Sequence, residues 1–254
     1  MKGIAGKVVL ITGAAGAIGQ ALVARFAEEK AAIAVCDLDR ARAQAVAERV
    51  TQAGGTAQAF AFDITDHGAV TAQVAAVEAA LGPIDILVNN AGWDQAGLFI
   101  DTTPDLWAKI IAINLVGPLN LQHAVLPGFV ARKQGSIINI ASDAGKSGSS
   151  AEAVYSACKG GVIAFTKTLA REVVRHNIRV NAVCPGPTDT PFLQAIGAQG
   201  ALGKKLVEGL THAIPMRRLG RPDDMGGVTV FLASDEASYI TGQAWSVSGG
   251  LTMI

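Results

Sequence analysis

Short apolar runs alternate along the chain with longer, alanine-rich stretches of helical spacing. KVVLITG (7–13) reads as a buried strand ending in a turn, and 19–30 follows with its apolar positions on one helical face. The alternation repeats as strand 31–39, helix 40–54 with a C-cap at Gly54 and Gly55, strand 56–65, helix 69–82, and strand 84–92 with a polar end. Further strands are expected at 135–142, 178–187 and near 242–250, with a helix containing Tyr155 and Lys159 between the first two. Strands apolar on both faces and separated by helices imply a parallel sheet covered on both sides. Right-handed crossovers then put helices on both faces. The expectation is one α/β domain over 1–254 with a doubly wound parallel sheet. The glycine-rich stretch at about 188–215 follows a strand end, is the least strand-like part, and is read as a substrate lid.

The chain has 254 residues, half of them apolar, and a formal net charge of zero. That length suffices for a large core. The charge balance leaves no electrostatic footprint for a nucleic acid or an anionic membrane. No uninterrupted apolar run reaches the roughly 18 residues of a membrane span. The N-terminal apolar run leads straight into a glycine loop, so it is read as a strand and not as a signal peptide. Cys36, Cys158 and Cys184 are odd in number and form no CxxC pair, which suits a reducing cytoplasm. The four histidines are scattered without ligand spacing, and no metal is expected.

Candidate chemistry begins at TGAAGAIG, Thr12 to Gly19, between the first strand and the first helix. Glycines allow a tight turn and close approach to a pyrophosphate, and a helix N-terminus offers free N–H groups. Asp37 ends the next strand. It can accept hydrogen bonds from the ribose hydroxyls of NAD, and its charge would repel the 2′-phosphate of NADP. The glycine loop itself contains no Arg or Lys; Arg40 and Arg42 follow the acid. NAD is therefore the expected cofactor. In AEAVYSACKGG (151–161), Tyr155 and Lys159 stand four apart and share a helix face. An ammonium beside a phenol favours the phenolate, which would suit proton exchange with an alcohol or carbonyl. Ser142 ends IINIAS, where a parallel strand should open onto a ligand crevice.

Thr12-Gly13 with Gly16 and Gly19, NNAG at 89–92, Asn114 in AINL, Ser142, Tyr155-x3-Lys159 and PGPTDT at 185–190 occur in the order typical of classical short-chain dehydrogenases/reductases, and the resemblance spans the chain. It implies a Rossmann-type sheet of about seven strands, hydride transfer with a nicotinamide cofactor, and a homotetramer or dimer. By this resemblance Tyr155 is the general acid/base, Lys159 binds the nicotinamide ribose and depresses the tyrosine pKa, and Ser142 polarises the substrate oxygen. Asn114 would hold a water of a proton relay. Gly13, Gly16, Ile18 and Gly19 would meet the phosphates. Asp37 and Leu38 would meet the ribose, Asp63 and Ile64 the adenine, and Asn90, Ala91 and Gly92 the cofactor floor. Pro185, Gly186, Thr188 and Thr190 would sit against the nicotinamide. Two positions depart from the family pattern: Ala17 stands where a glycine is usual, and Ser248 replaces the acid of the common VDGG.

NNAGWD (89–94), the stretch 140–161, VCPGPTDT (183–190) and ITGQAWSVSGGLTM (240–253) are similar to dehydrogenases of the 2-hydroxycyclohexanecarboxyl-CoA type. That resemblance implies NAD-linked oxidation of a ring secondary alcohol. An aryl secondary-alcohol dehydrogenase of the 1-phenylethanol type fits nearly as well, and a 3-oxoacyl carrier-protein reductase less well because of Asp37. Candidate substrate-wall residues are Trp93, Asp143, Glu152, Phe192 and Leu193. Trp93 would pack on a ring or lie near a subunit interface, and Asp143 would meet a polar substrate group or cap the next segment. Lys204 and Lys205 would reach CoA phosphates or simply be solvated.

Overall fold

The computed structural model describes residues 1–254 except Phe192, Ala195, Ile196, Gly197 and Gln199, with the side chains of Ala201, Leu202 and Leu206 also outside the description. Seven strands form one sheet in the order β3-β2-β1-β4-β5-β6-β7. They are β1 (Val8–Thr12), β2 (Ala32–Asp37), β3 (Thr56–Ala61), β4 (Ile84–Asn89), β5 (Gly135–Ile140), β6 (Ile178–Pro185) and β7 (Ala244–Val247). Every pairing is parallel. The chain winds outward from β1 to β3, returns, and continues from β4 to β7. The sheet's direction of winding reverses between β1 and β4, where open parallel sheets bind ligands.

β1 shows why the strands carry no polar alternation. Val9 and Ile11 enter one core with Leu22, Phe26 and Val230, while Val8 and Leu10 enter the other with Val74, Leu121 and Phe129. Each fully buried Leu, Ile or Phe contributes roughly 1.5–3 kcal/mol relative to exposure, so both faces must be apolar. The first layer holds α1 (Ala17–Glu28) and α2 (Arg40–Gln52); the second holds α3 (His67–Leu81). The predicted elements hold to within a few residues. Helix α2 stops at Gln52, and Gly54 turns back with φ +84 while Gly55 N–H donates to the Val50 carbonyl.

The apolar pattern had assigned no element between the fourth and fifth strands. Here α4 (Pro104–Ile111) runs through a π turn (Ala112–Val116) into α5 (Gly117–Arg132). Thr103 Oγ1 accepts the Leu106 N–H at 3.3 Å and Pro104 opens the helix, so its start is chemically marked. By length and hydropathy the whole helix could pass for a membrane span. It is instead a core helix: Leu121, Val125 and Phe129 pack in the second layer, and Asn114 and Gln122 are buried with their amides hydrogen-bonded. Among the described residues the remaining α-helices are the short α6 (Ala144–Ser147), the long α7 (Ala153–Val173), α8 (Gly200–Ala213) within the expected lid stretch, and α9 (Gly226–Ala233).

Candidate active site

The predicted site residues converge at the carboxyl ends of the strands. Gly13 follows β1, Asp37 ends β2, Asp63 lies just past β3, Asn90 follows β4, Ser142 follows β5 and Pro185 ends β6. Thr12 and Asn90 stitch the first and fourth strand ends together. Thr12 Oγ1 accepts the N–H groups of Asn90 and Ala91 at 3.1 Å each, and Asn90 Nδ2 donates to the carbonyls of Thr12 and Gly13 at 3.0 Å each. Asn90 is thus a strap under the glycine loop. Gly13 sits at φ +59, and a Cβ there would lie 2.7 Å from the Ala91 Cα. A Cβ on Gly19 would lie 2.2 Å from the Gly13 carbonyl oxygen, so helix α1 can approach the loop this closely only with glycine.

Residues at this edge fit a dinucleotide. Helices α2, α3 and α4 are capped by Asp39, Asp66 and Thr103, whereas α1 begins at Gly16 with no capping side chain among the described residues. Its first N–H groups are left for an anion. Gly16, and not position 17, occupies the cap, so Ala17 sits in the first turn. Asp37 Oδ2 accepts the Ala15 N–H at 2.9 Å and Oδ1 accepts the Asp39 N–H at 3.2 Å, which fixes its carboxylate beside the loop with lone pairs to spare. Arg42 Nη2 donates to the Ala15 carbonyl at 2.7 Å, placing a cation next to that acid. Leu38 is exposed just beyond. Asp63 Oδ1 accepts from both the N–H and the hydroxyl of Thr65 at 2.8 Å, and Asn120 on α5 donates to the Ile64 carbonyl at 3.0 Å. Sequence reasoning had not singled out Thr12, Arg42 or Asn120 for these contacts.

Lys159 and Tyr155 lie on α7. Lys159 is 4% exposed and donates to the Ile140 carbonyl at 3.0 Å. Burial pulls its pKa from the ordinary 10.5 down to about 8, against the smaller opposing influence of Cys158 and Cys184. Its Nζ lies 5.4 Å from the centre of the Tyr155 ring. Tyr155 does not have the depressed pKa expected from that neighbour. Burial pushes it up, the Ser142 hydroxyl offsets part of the effect, and the negative fields of Glu152 and Asp94 add to it. The lysine titrates first, so in the chain alone it has lost its charge before the phenol ionises. Ser142 Oγ accepts the Ala144 N–H at 3.1 Å, leaving its own O–H to donate. The turn after Ser142 is pressed against α7: a Cβ on Gly145 would lie 2.6 Å from the Lys159 carbonyl carbon.

Asn114 is fully buried in the π turn. Its Nδ2 donates to the Trp93 carbonyl at 2.6 Å and the Ile110 carbonyl at 3.0 Å, and its Oδ1 accepts the Trp93 N–H at 3.3 Å. It therefore clamps the backbone of the segment after Gly92. A Cβ on Gly92 would sit 3.1 Å from Asn114 Oδ1 and 3.5 Å from Lys159 Nζ, so the three residues meet at one point. At the far side, Thr188 is buried and Thr190 half-buried. Thr188 Oγ1 donates to the Gly186 carbonyl at 2.8 Å.

Two expectations about the substrate wall change. The Trp93 ring is covered by Lys109 Nζ at 3.9 Å from its centre, so that face is not offered to a ring. Asp143 stands at the start of α6 but its side chain caps nothing; its carboxylate oxygens are buried without a hydrogen-bond partner among the described residues. Phe192 lies outside the described residues, Leu193 is buried, and Lys204 and Lys205 are exposed on α8. The cavity next to Tyr155 is lined instead by Asp94, Phe99, Trp107, Ile110 and Glu152. Phe99 and Trp107 stack at 5.0 Å and 14°. Apart from Glu152, sequence reasoning had missed these wall residues. Asp94 sat in view after NNAGW, while the helical stretch bearing Trp107 had no motif to mark it.

Comparison with known proteins agrees with this fold. Residues 13–252 match the family model described as enoyl-(acyl carrier protein) reductase. The chain is 37% identical over 248 residues to the 3-oxoacyl-(acyl-carrier-protein) reductase FabG of Thermotoga maritima, covering 98% of each. It is 41% identical to the acetoacetyl-CoA reductase of Shinella zoogloeoides, covering 96% of this chain and 98% of that one. An NAD+-bound xylitol dehydrogenase structure superposes with a TM-score of 0.93 at 35% identity, covering 98% of this chain and 100% of the other. With its seven-stranded parallel sheet and its shared motifs, the chain is an oxidoreductase that belongs to the short-chain dehydrogenase/reductase family.

Proposed function

We propose that the protein interconverts a secondary alcohol and a ketone on a cyclic or aromatic substrate, with NAD, in a cytoplasmic homotetramer. The observation that carries this reading is Tyr155, half-buried beside the Ser142 hydroxyl with Lys159 behind it and a stacked aromatic pair, Phe99 and Trp107, on the adjoining wall. NAD would be held by the glycine loop and Asp37 and, when bound, would supply the acceptor for the hydride of the carbinol carbon. Tyr155 exchanges the proton at the substrate oxygen, and the Ser142 hydroxyl donates a hydrogen bond to that oxygen and orients it. Lys159 places its ammonium behind the Tyr155 ring at neutral pH, where its field would favour loss of the phenol proton once a bound cofactor and substrate alter the site, and Asn114 fixes the backbone after Gly92. Asp37 favours NAD through its free lone pairs near the ribose end of the crevice. The exposed apolar residues Tyr239, Leu251, Met253 and Ile254 suit assembly with further copies.

The flat aromatic wall supports a ring substrate, of the 2-hydroxycyclohexanecarboxyl-CoA or the 1-phenylethanol type. A second reading, reduction of a 3-oxoacyl thioester, is favoured by what two of the relatives are named for. The deciding experiment follows NADH or NADPH absorbance with ring alcohols, arylethanols and 3-hydroxyacyl thioesters, using NAD and NADP in parallel. Preference for ring alcohols with NAD supports the proposal, and preference for acyl thioesters with NADP replaces it. Tyr155→Phe should retain NADH binding and lose at least about a hundredfold in kcat. Full activity in that variant would remove the phenol from the mechanism.

A further inference from the structure

Two carboxylates face the catalytic tyrosine, and the chemistry above uses neither. Asp94 follows Trp93, whose backbone Asn114 clamps on both sides, so its position is set by a buried amide. Both Asp94 oxygens are sealed from solvent and receive no well-formed hydrogen bond among the described residues, the Gln95 N–H being the polar group beside them. Glu152 precedes Tyr155 by three residues at the start of α7, where its side chain caps nothing. Asp94, Glu152 and Tyr155 line one narrow cavity of about 10 Å³, the room of a single water. A water there would hydrogen-bond an acid but leave the sign of the field unchanged. Neither acid belongs to an ion pair among the described residues. Two lysines lie nearby and keep their charge, but neither is paired with these acids: Lys159 donates to the Ile140 carbonyl, and Lys109 sits over the Trp93 ring.

An unpaired buried carboxylate costs stability, so its place beside the reacting hydroxyl calls for a use. We propose that Asp94 and Glu152 form a charge filter at the substrate oxygen, which admits a secondary alcohol whose neighbouring acyl group is neutral, as an ester or thioester, and rejects the ionised free acid. The inference rests on the proposed alcohol–ketone chemistry and names its substrate class. A carboxylate on the carbon next to the carbinol would lie within a few ångströms of the pair, where like charges in partly buried surroundings repel strongly. Burial pushes Asp94 up to about 6, with the nearby Gln95 N–H offsetting part of this and the charge of Glu152 adding to it. The filter is therefore strongest above that pH. Besides the two acids, the titratable groups around it are Tyr155, Cys158 and Lys159 on α7 and Lys109 on α4.

The test compares the free acid and the methyl ester of 2-hydroxycyclohexanecarboxylic acid as substrates. In parallel, it compares cyclohexanecarboxylate and its methyl ester as ligands, by tryptophan fluorescence of the NADH complex at about pH 8. Wild type, Asp94→Asn and Glu152→Gln are measured. The wild type should favour the neutral member of each pair by about a hundredfold, and each substitution should narrow that ratio about tenfold, which is about 1.4 kcal/mol. Equal affinity of the wild type for anion and ester would overturn the filter, as would ratios unchanged in both variants. Absence of turnover of any alcohol by the wild type would count against the proposed function, while the ligand-binding ratios would still decide the filter.

Discussion

Replacing Lys159 by methionine should make the protein more stable at neutral pH and inactive. Lys159 is buried, donates one hydrogen bond to the Ile140 carbonyl, and has no carboxylate partner among the described ion pairs. Its pKa of about 8 in the fold, against an ordinary 10.5, measures the cost of keeping its charge there. At about 1.4 kcal/mol per pH unit, that difference corresponds to about 3 kcal/mol. Below about pH 8 both folded and unfolded chains hold the proton and the fold bears the full penalty. Between about pH 8 and 10.5 the unfolded chain binds more protons than the folded one, so the stability of the native protein rises with pH across that window. Methionine has similar length and no charge to desolvate. It leaves the Ile140 carbonyl without its donor, a loss of about 1–2 kcal/mol. The variant should therefore gain about 1–2 kcal/mol at pH 7, and this gain should shrink to nothing or reverse near pH 10. Urea denaturation at both pH values and one protein concentration measures it. A variant less stable at pH 7, or a difference that does not change with pH, would refute the reasoning.

Asp37→Ser removes the carboxylate beside the glycine loop and leaves the Arg42 guanidinium there, so kcat/KM with NADP relative to NAD should rise by about tenfold or more; an unmoved ratio would show that the acid does not set the preference. Asn114→Ala removes the clamp on Trp93 and leaves the buried Ile110 carbonyl and the part-buried Trp93 carbonyl without this donor. It should cost about 2–4 kcal/mol in stability and lower kcat more than it raises KM for NAD, which denaturation and steady-state kinetics together will separate.

The parts of the site that could be read from the chain share a physical cause. Gly13, Gly19, Asp37 and Ser142 lie where a strand ends, and a strand apolar on both faces announces its own end by the first polar or glycine residue. Tyr155 and Lys159 lie on one continuous helix, where spacing alone puts them on one face. What escaped was set by contacts between distant segments. The sequence left Trp93 open to packing on a ring or lying near a subunit interface; the Lys109 ammonium over its ring comes from sixteen residues away, on a helix whose start had not been recognised. Asn114 is expected from the family resemblance to hold a water of a proton relay; that its buried amide also holds the Trp93 backbone could not be read, because the π turn that aims it there leaves no periodicity to detect. The same contact explains Asp94. An acid following NNAGW resembles any loop carboxylate until the clamp at Trp93 turns it toward Tyr155 and α7 closes over it. Sequence therefore exposes the chemistry that strands and single helices carry. The groups proposed to choose the substrate are placed by packing between β4, α4 and α7, and there a one-residue change would alter specificity without touching a motif.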